Sequence, residues 1–230
     1  MSDLYGALPG DMLMDIVRRH QQDLAAAARP PVRLPRRRRR GAPPAEASPV
    51  LVIVSGPPGS GKTTLAHALA HGLRCPAICR DEIKEGMVHA VRREAIPGER
   101  DPLNPPTNAA FFETLRVLLG ARVTLVAEAA FQDRLWRSGL NTLTDLAAVR
   151  VVHCEVDPGV ARERVARRLA AAERAPDAHG DAALLRALAA GTSWTSAFQS
   201  VSIAAPVLHV DTTAGYDPCL AAILAFVNRR

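Results

Sequence analysis

Residues 56–63 read Gly-Pro-Pro-Gly-Ser-Gly-Lys-Thr and follow directly on the apolar run Val50-Leu51-Val52-Ile53-Val54-Ser55. The pattern G-x-x-x-x-G-K-[ST] between a strand and a helix makes a phosphate site, because the turn brings backbone N–H groups against an anion. Gly56, Gly59 and Gly61 permit the tight turn, with Pro57, Pro58 and Ser60 between them. A helix expected over 62–73 then points its positive N-terminal end at the same anion. Lys62 is placed to reach the β- and γ-phosphates of ATP, the Thr63 hydroxyl to ligate Mg²⁺, and Thr64 to complete the stretch against the nucleotide.

From Ser48 onward strand-like and helix-like stretches alternate, the mark of a parallel sheet with helices on both faces. Strands are expected over 50–55, 76–79, 123–128, 149–155 and 207–211. Helices are expected over 62–73, 108–120, 160–172, 182–190 and 219–228. The resulting fold class is α/β: a three-layer sandwich of the P-loop type, with a five-stranded, mostly parallel sheet. Ligands in such sheets collect at the carboxyl ends of the strands, so the polar residues there are the candidates for chemistry.

The second strand is followed by Arg80-Asp81-Glu82-Ile83-Lys84. Asp81 is a candidate general base for an attacking hydroxyl, and equally a candidate cap for the next helix. Arg80 and Lys84 either bind substrate or stand exposed. The third strand ends in Val126-Ala127-Glu128. Apolar residues closed by a carboxylate suit a metal-holding acid, and Glu128 is expected at Mg²⁺ or at substrate hydroxyls. Phe131 lines a pocket or joins the core. After the fourth strand, the arginines Arg162, Arg164, Arg167, Arg168 and Arg174 suggest a lid that closes on the transferring phosphoryl group, with Arg164 and Arg168 on one helix face. The turn at Asp211-Thr212-Thr213 is a candidate contact for adenine or ribose.

The N-terminal part differs in composition. Residues 1–47 hold nine arginines and five acidic residues, and five of the arginines are consecutive, Arg36 to Arg40. Residues 1–28 are expected to form a helical segment and 29–47 a disordered Pro/Arg-rich linker, leaving 48–230 as the catalytic domain. The arginine run is either a solvated linker or a contact to nucleic-acid phosphates. Cys75, Cys79, Cys154 and Cys219 match no zinc or redox spacing and read as reduced thiols. With no apolar stretch near ~20 residues and no signal-like start, the expected location is the cytoplasm.

Taken together, these motifs resemble the small P-loop kinases, bacterial AAA-like ATP-binding proteins akin to zeta toxins, chloramphenicol phosphotransferase and polynucleotide kinase. The resemblance spans about 48–230. It implies a nucleoside-kinase-like core with an Arg-rich lid, using ATP and Mg²⁺, with Asp81 as general base and one lid arginine at the phosphoryl group. The implied function is transfer of the γ-phosphoryl of ATP to a hydroxyl of a small molecule. A polynucleotide 5′-hydroxyl as acceptor, or an ATP-dependent switch that binds a partner, are the alternatives. The sequence names neither the acceptor nor the oligomeric state.

Overall fold

The computed structural model describes residues 48–91, 101–171 and 201–229. The helical segment expected over 1–28, the linker expected over 29–47, Arg174 and the helix expected over 182–190 lie outside the described residues. Within them, β1 (Val50–Ser55), β2 (Ala77–Cys79), β3 (Leu125–Glu128), β4 (Ala148–Glu155) and β5 (Val207–Asp211) form one sheet in the order β2-β3-β1-β4-β5. Every pairing is parallel, so the sheet expected to be mostly parallel is parallel throughout. The helices are α1 (Lys62–Leu73), α2 (Arg80–Val91), α3 (Asn104–Gly120), α4 (Asp133–Asn141), α5 (Pro158–Ala171) and α6 (Leu220–Val227).

Strand β1 shows why helices must cover both faces. Its residues are apolar without alternation, so each face of the pleat needs a partner. Leu51 and Ile53 point into one core with Phe111, Leu115 and Leu119 of α3 and with Leu140 of α4. Val52 and Val54 point into the other, with Leu65 and Leu69 of α1 and with Ile223 and Val227 of α6. This is the three-layer arrangement the alternation implied. It leaves β1 central, flanked by β3 and β4, and the carboxyl ends of such strands are where ligands of parallel sheets bind.

Two element boundaries depart from expectation for identifiable reasons. Helix α3 starts at Asn104, four residues early, because Pro105 and Pro106 fall in its first turn, where the missing N–H groups cost nothing. Helix α2 starts at Arg80, so Asp81 and Glu82 lie inside its first turn rather than before it. Their charge complements the helix dipole there. Phe131 belongs to the core. It is buried against Phe111 and Trp136, with ring centroids 6.1 and 5.0 Å away. Phe111 → Ala removes the ring these aromatics pack around and is expected to cost about 3–5 kcal/mol in urea unfolding.

His153 on β4 is buried, its Nδ1 has no hydrogen-bond partner among the described residues, and its ring meets that of His209 at 5.5 Å. Burial, then the His209 ring, hold the imidazole below its ordinary value, against an opposing pull from Glu155. A lowered folded-state pKa means the unfolded chain takes the proton first as pH falls. The stability this group contributes is therefore present above about pH 6.5 and lost below it. His153 → Gln should flatten the dependence of the urea midpoint on pH between about 7 and 5. An unchanged slope would assign that dependence to other groups.

Candidate active site

The loop between β1 and α1 gets its shape from contacts beneath it. Gly59 has φ of 78°, and a Cβ there would lie 2.5 Å from the carbonyl oxygen of Ala161 in α5. Gly61 has φ of 72°, and a Cβ there would meet open space. The loop is thus pressed onto α5 at one glycine and open at the other. Gly61 caps α1 with no side-chain hydrogen bond, which leaves the first-turn N–H groups of α1 free for an anion. Ser60 sits beneath the loop, buried, its hydroxyl without a partner among the described residues.

At the start of α1, Lys62 and Thr63 both face Glu128 at the end of β3. The Thr63 hydroxyl donates to Glu128 Oε2 at 3.1 Å, and Lys62 Nζ lies 3.8 Å from Oε1. The Glu128 side chain is only 1% exposed, and its Oε1 makes no hydrogen bond among the described residues. Burial pushes the Glu128 carboxyl above its ordinary value; Lys62 opposes this, while Asp81 and Glu82 add to it. A buried carboxylate oxygen with no hydrogen-bond donor, next to a threonine hydroxyl, is a set of hard oxygen donors and fits Mg²⁺.

Asp81 joins this group from β2's carboxyl end, since β2 pairs with β3 so that Cys79 stands opposite Glu128. The residue that fixes it is Arg80. Its Nη1 donates to Asp81 Oδ1 at 2.8 Å, its Nε to Asn108 Oδ1 at 3.1 Å, and its Nη2 to Asn104 Oδ1 at 2.6 Å. Asn104 and Asn108 are one turn apart on α3, so a single helix face holds the guanidinium. Lys84 is buried and pairs with Asp101. The sequence singled out Arg80 and Asp81 but not the asparagines; their i, i+4 spacing on one helix was the available signal.

Two of the candidate residues bond the backbone of the loop. One is Arg164. Its guanidinium donates to the carbonyls of Gly59 at 3.3 Å, Thr212 at 2.9 Å and Thr213 at 3.0 Å, which spends it on bracing the loop. Thr212 is buried, and its hydroxyl lies 2.7 Å from the Ser60 carbonyl and 2.9 Å from that of Glu155. It supports the loop from below. The Asp211 carboxylate turns back to accept from the Thr213 N–H at 2.7 Å, and the Thr213 hydroxyl, then this N–H, hold its pKa down. Arg167 is exposed and pairs with Glu163 at 2.8 Å, whereas Arg168, one turn beyond Arg164, is half-buried.

A central strand, a glycine loop over a helix N-terminus and a buried acid at the neighbouring strand end define a P-loop nucleotide-binding fold. The family model described as AAA domain matches residues 51–189, and the chain belongs to that family. A Chloroflexus aurantiacus structure described as a candidate kinase is 27% identical, with a TM-score of 0.62, covering 78% of this chain and 97% of that one. A sugar kinase from Janibacter is 18% identical, with a TM-score of 0.52 over 79% of this chain and 95% of that one. No curated protein matches the sequence.

The bracing role of Thr212 is open to direct test. Thr212 → Val keeps the shape but leaves the buried Ser60 carbonyl without this donor. An expected loss of about 1–3 kcal/mol in urea unfolding would show it.

Proposed function

We propose that residues 48–230 form a kinase domain that transfers the γ-phosphoryl group of ATP to a hydroxyl of a small molecule. The observation that carries this reading is the meeting of three groups at one sheet edge: the phosphate loop, the Thr63–Glu128 pair and the Arg80-held Asp81. The similarity to the Chloroflexus candidate kinase over most of both chains supports the same reaction class. A nucleotide switch has no need for a carboxylate fixed beside the phosphate loop, and this chain holds one through Arg80, itself held by Asn104 and Asn108.

Each residue has a defined task. The free N–H groups at the start of α1 and the Lys62 ammonium bind the phosphates. Thr63 Oγ1 and the Glu128 carboxylate are the protein oxygens that would hold Mg²⁺. When bound, ATP supplies the phosphoryl group and Mg²⁺ offsets charge on it. Asp81 accepts the proton of the acceptor hydroxyl through a carboxylate oxygen, and Arg80 orients that carboxylate. Arg168, which lies on the same helix face as Arg164, is the arginine of α5 proposed to turn toward the phosphoryl group.

Purified full-length protein, ATP and Mg²⁺ are assayed against pools of sugars, nucleosides, antibiotics and nucleotide sugars, reading the mass gain of one phosphate. A phosphorylated product is expected in one pool. With that acceptor, Lys62 → Ala should lower turnover by about 10²–10³-fold. Asp81 → Asn should lower it by about 10²–10⁴-fold while ATP affinity stays near that of the parent. Full turnover by the Asn variant would remove Asp81 from the proton step.

A further inference from the structure

Beside the phosphate loop, on the β2 side of Glu128, three side chains of different chemistry converge. His67 lies one turn after Thr63 on α1. Cys79 is the last residue of β2, and Glu82 lies in the first turn of α2. His67 Nε2 and Glu82 Oε1 are 2.7 Å apart, and Cys79 Sγ is 3.8 Å from the same nitrogen. All three atoms lie within 4.8 Å of one another. Among the described residues this is the one group of His, Cys, Asp and Glu atoms brought this close.

We infer that His67, Cys79 and Glu82 form a binding site for a divalent transition-metal ion of the zinc class. The donor set is one imidazole nitrogen, one thiolate sulfur and one carboxylate oxygen, which favours zinc over magnesium or calcium. Metal–ligand bonds of ~2.0–2.3 Å at tetrahedral angles set neighbouring ligand atoms about 3.3–3.6 Å apart. The sulfur–nitrogen separation is already close to that. The nitrogen–oxygen separation has to open by somewhat more than half an ångström, within the reach of two exposed side chains. Cys79 is buried and forms the floor, while His67 and Glu82 are exposed to solvent or partly so, which gives the ion an entry and leaves a fourth position for water. The three ligands come from two helices and a strand of the sheet, so the backbone that presents them is rigid. Glu128, opposite Cys79 in the β2–β3 ladder, adds negative charge nearby. The site does not depend on the phosphotransfer reading. It would tie the helix bearing Thr63 to the helix bearing Asp81.

The test uses full-length protein stripped with chelator, dialysed and titrated with Co²⁺, a spectroscopic substitute for zinc. One equivalent per chain should produce thiolate-to-cobalt charge-transfer absorption in the near ultraviolet, and Zn²⁺ should abolish it by displacement. Cys79 → Ser should eliminate the band, whereas Cys219 → Ser at an exposed thiol should leave it intact. His67 → Ala and Glu82 → Gln sit at the surface and guard against a folding defect in the cysteine variant. Each should weaken Co²⁺ binding more than ~10-fold, since even the outer partners of a metal ligand are worth that much. Absence of the band in the parent protein would show a surface His–Glu ion pair and nothing more, overturning the inference. So would a band that survives Cys79 → Ser, or unweakened binding in either surface variant.

Discussion

A carboxylate buried at the end of a central strand sets the terms for everything around it. Glu128 sits beside β1 in the interior of the sheet, where its charge is costly unless compensated. Compensation comes from Lys62 and Thr63, both in the first turn of α1. Those residues can stand there only if the chain leaves β1, turns sharply and starts a helix at once. The glycine loop achieves that turn. The parallel sheet places β3 next to β1 so that the acid arrives from an element distant in sequence. The anion site and the cation site are therefore built by one constraint.

Much of this was legible in the sequence. The loop motif with its apolar strand, the five strands in chain order and the acid after β3 all follow from local pattern, because each is encoded within a few residues. The start of α3 was misplaced because two prolines look like a break, yet a helix's first turn tolerates them. The backbone contacts of Arg164 and Thr212 were hidden for a different reason. Both spend their polar atoms on backbone carbonyls of the loop, about a hundred or more residues away, and no sequence pattern marks a backbone acceptor. An arginine near a nucleotide loop reads as a phosphate ligand until its partners are seen.

The same blindness applied to groups assembled by topology. Arg80 was visible, whereas the asparagines that orient it lie on the next helix, beyond the 92–100 segment. His67, Cys79 and Glu82 follow no metal-ligand spacing, since two helices and a strand bring them together. Cys79 and Cys154 are both free and buried, as their reading as reduced thiols implied, and burial pushes the Cys154 thiol up to about 12.

The contacts from Arg164 and Thr212 carry a consequence for how a ligand is received. They hold four carbonyls of the loop and of the turn after β5 in fixed positions, so the cradle has one shape before anything enters it. A loop free to sample many shapes would surrender that freedom on binding, and the loss would subtract from affinity. Here the ordering is completed during folding. An incoming phosphate group meets N–H groups already aimed, and the entropy of binding is set by the ligand and its water, with little contribution from the chain.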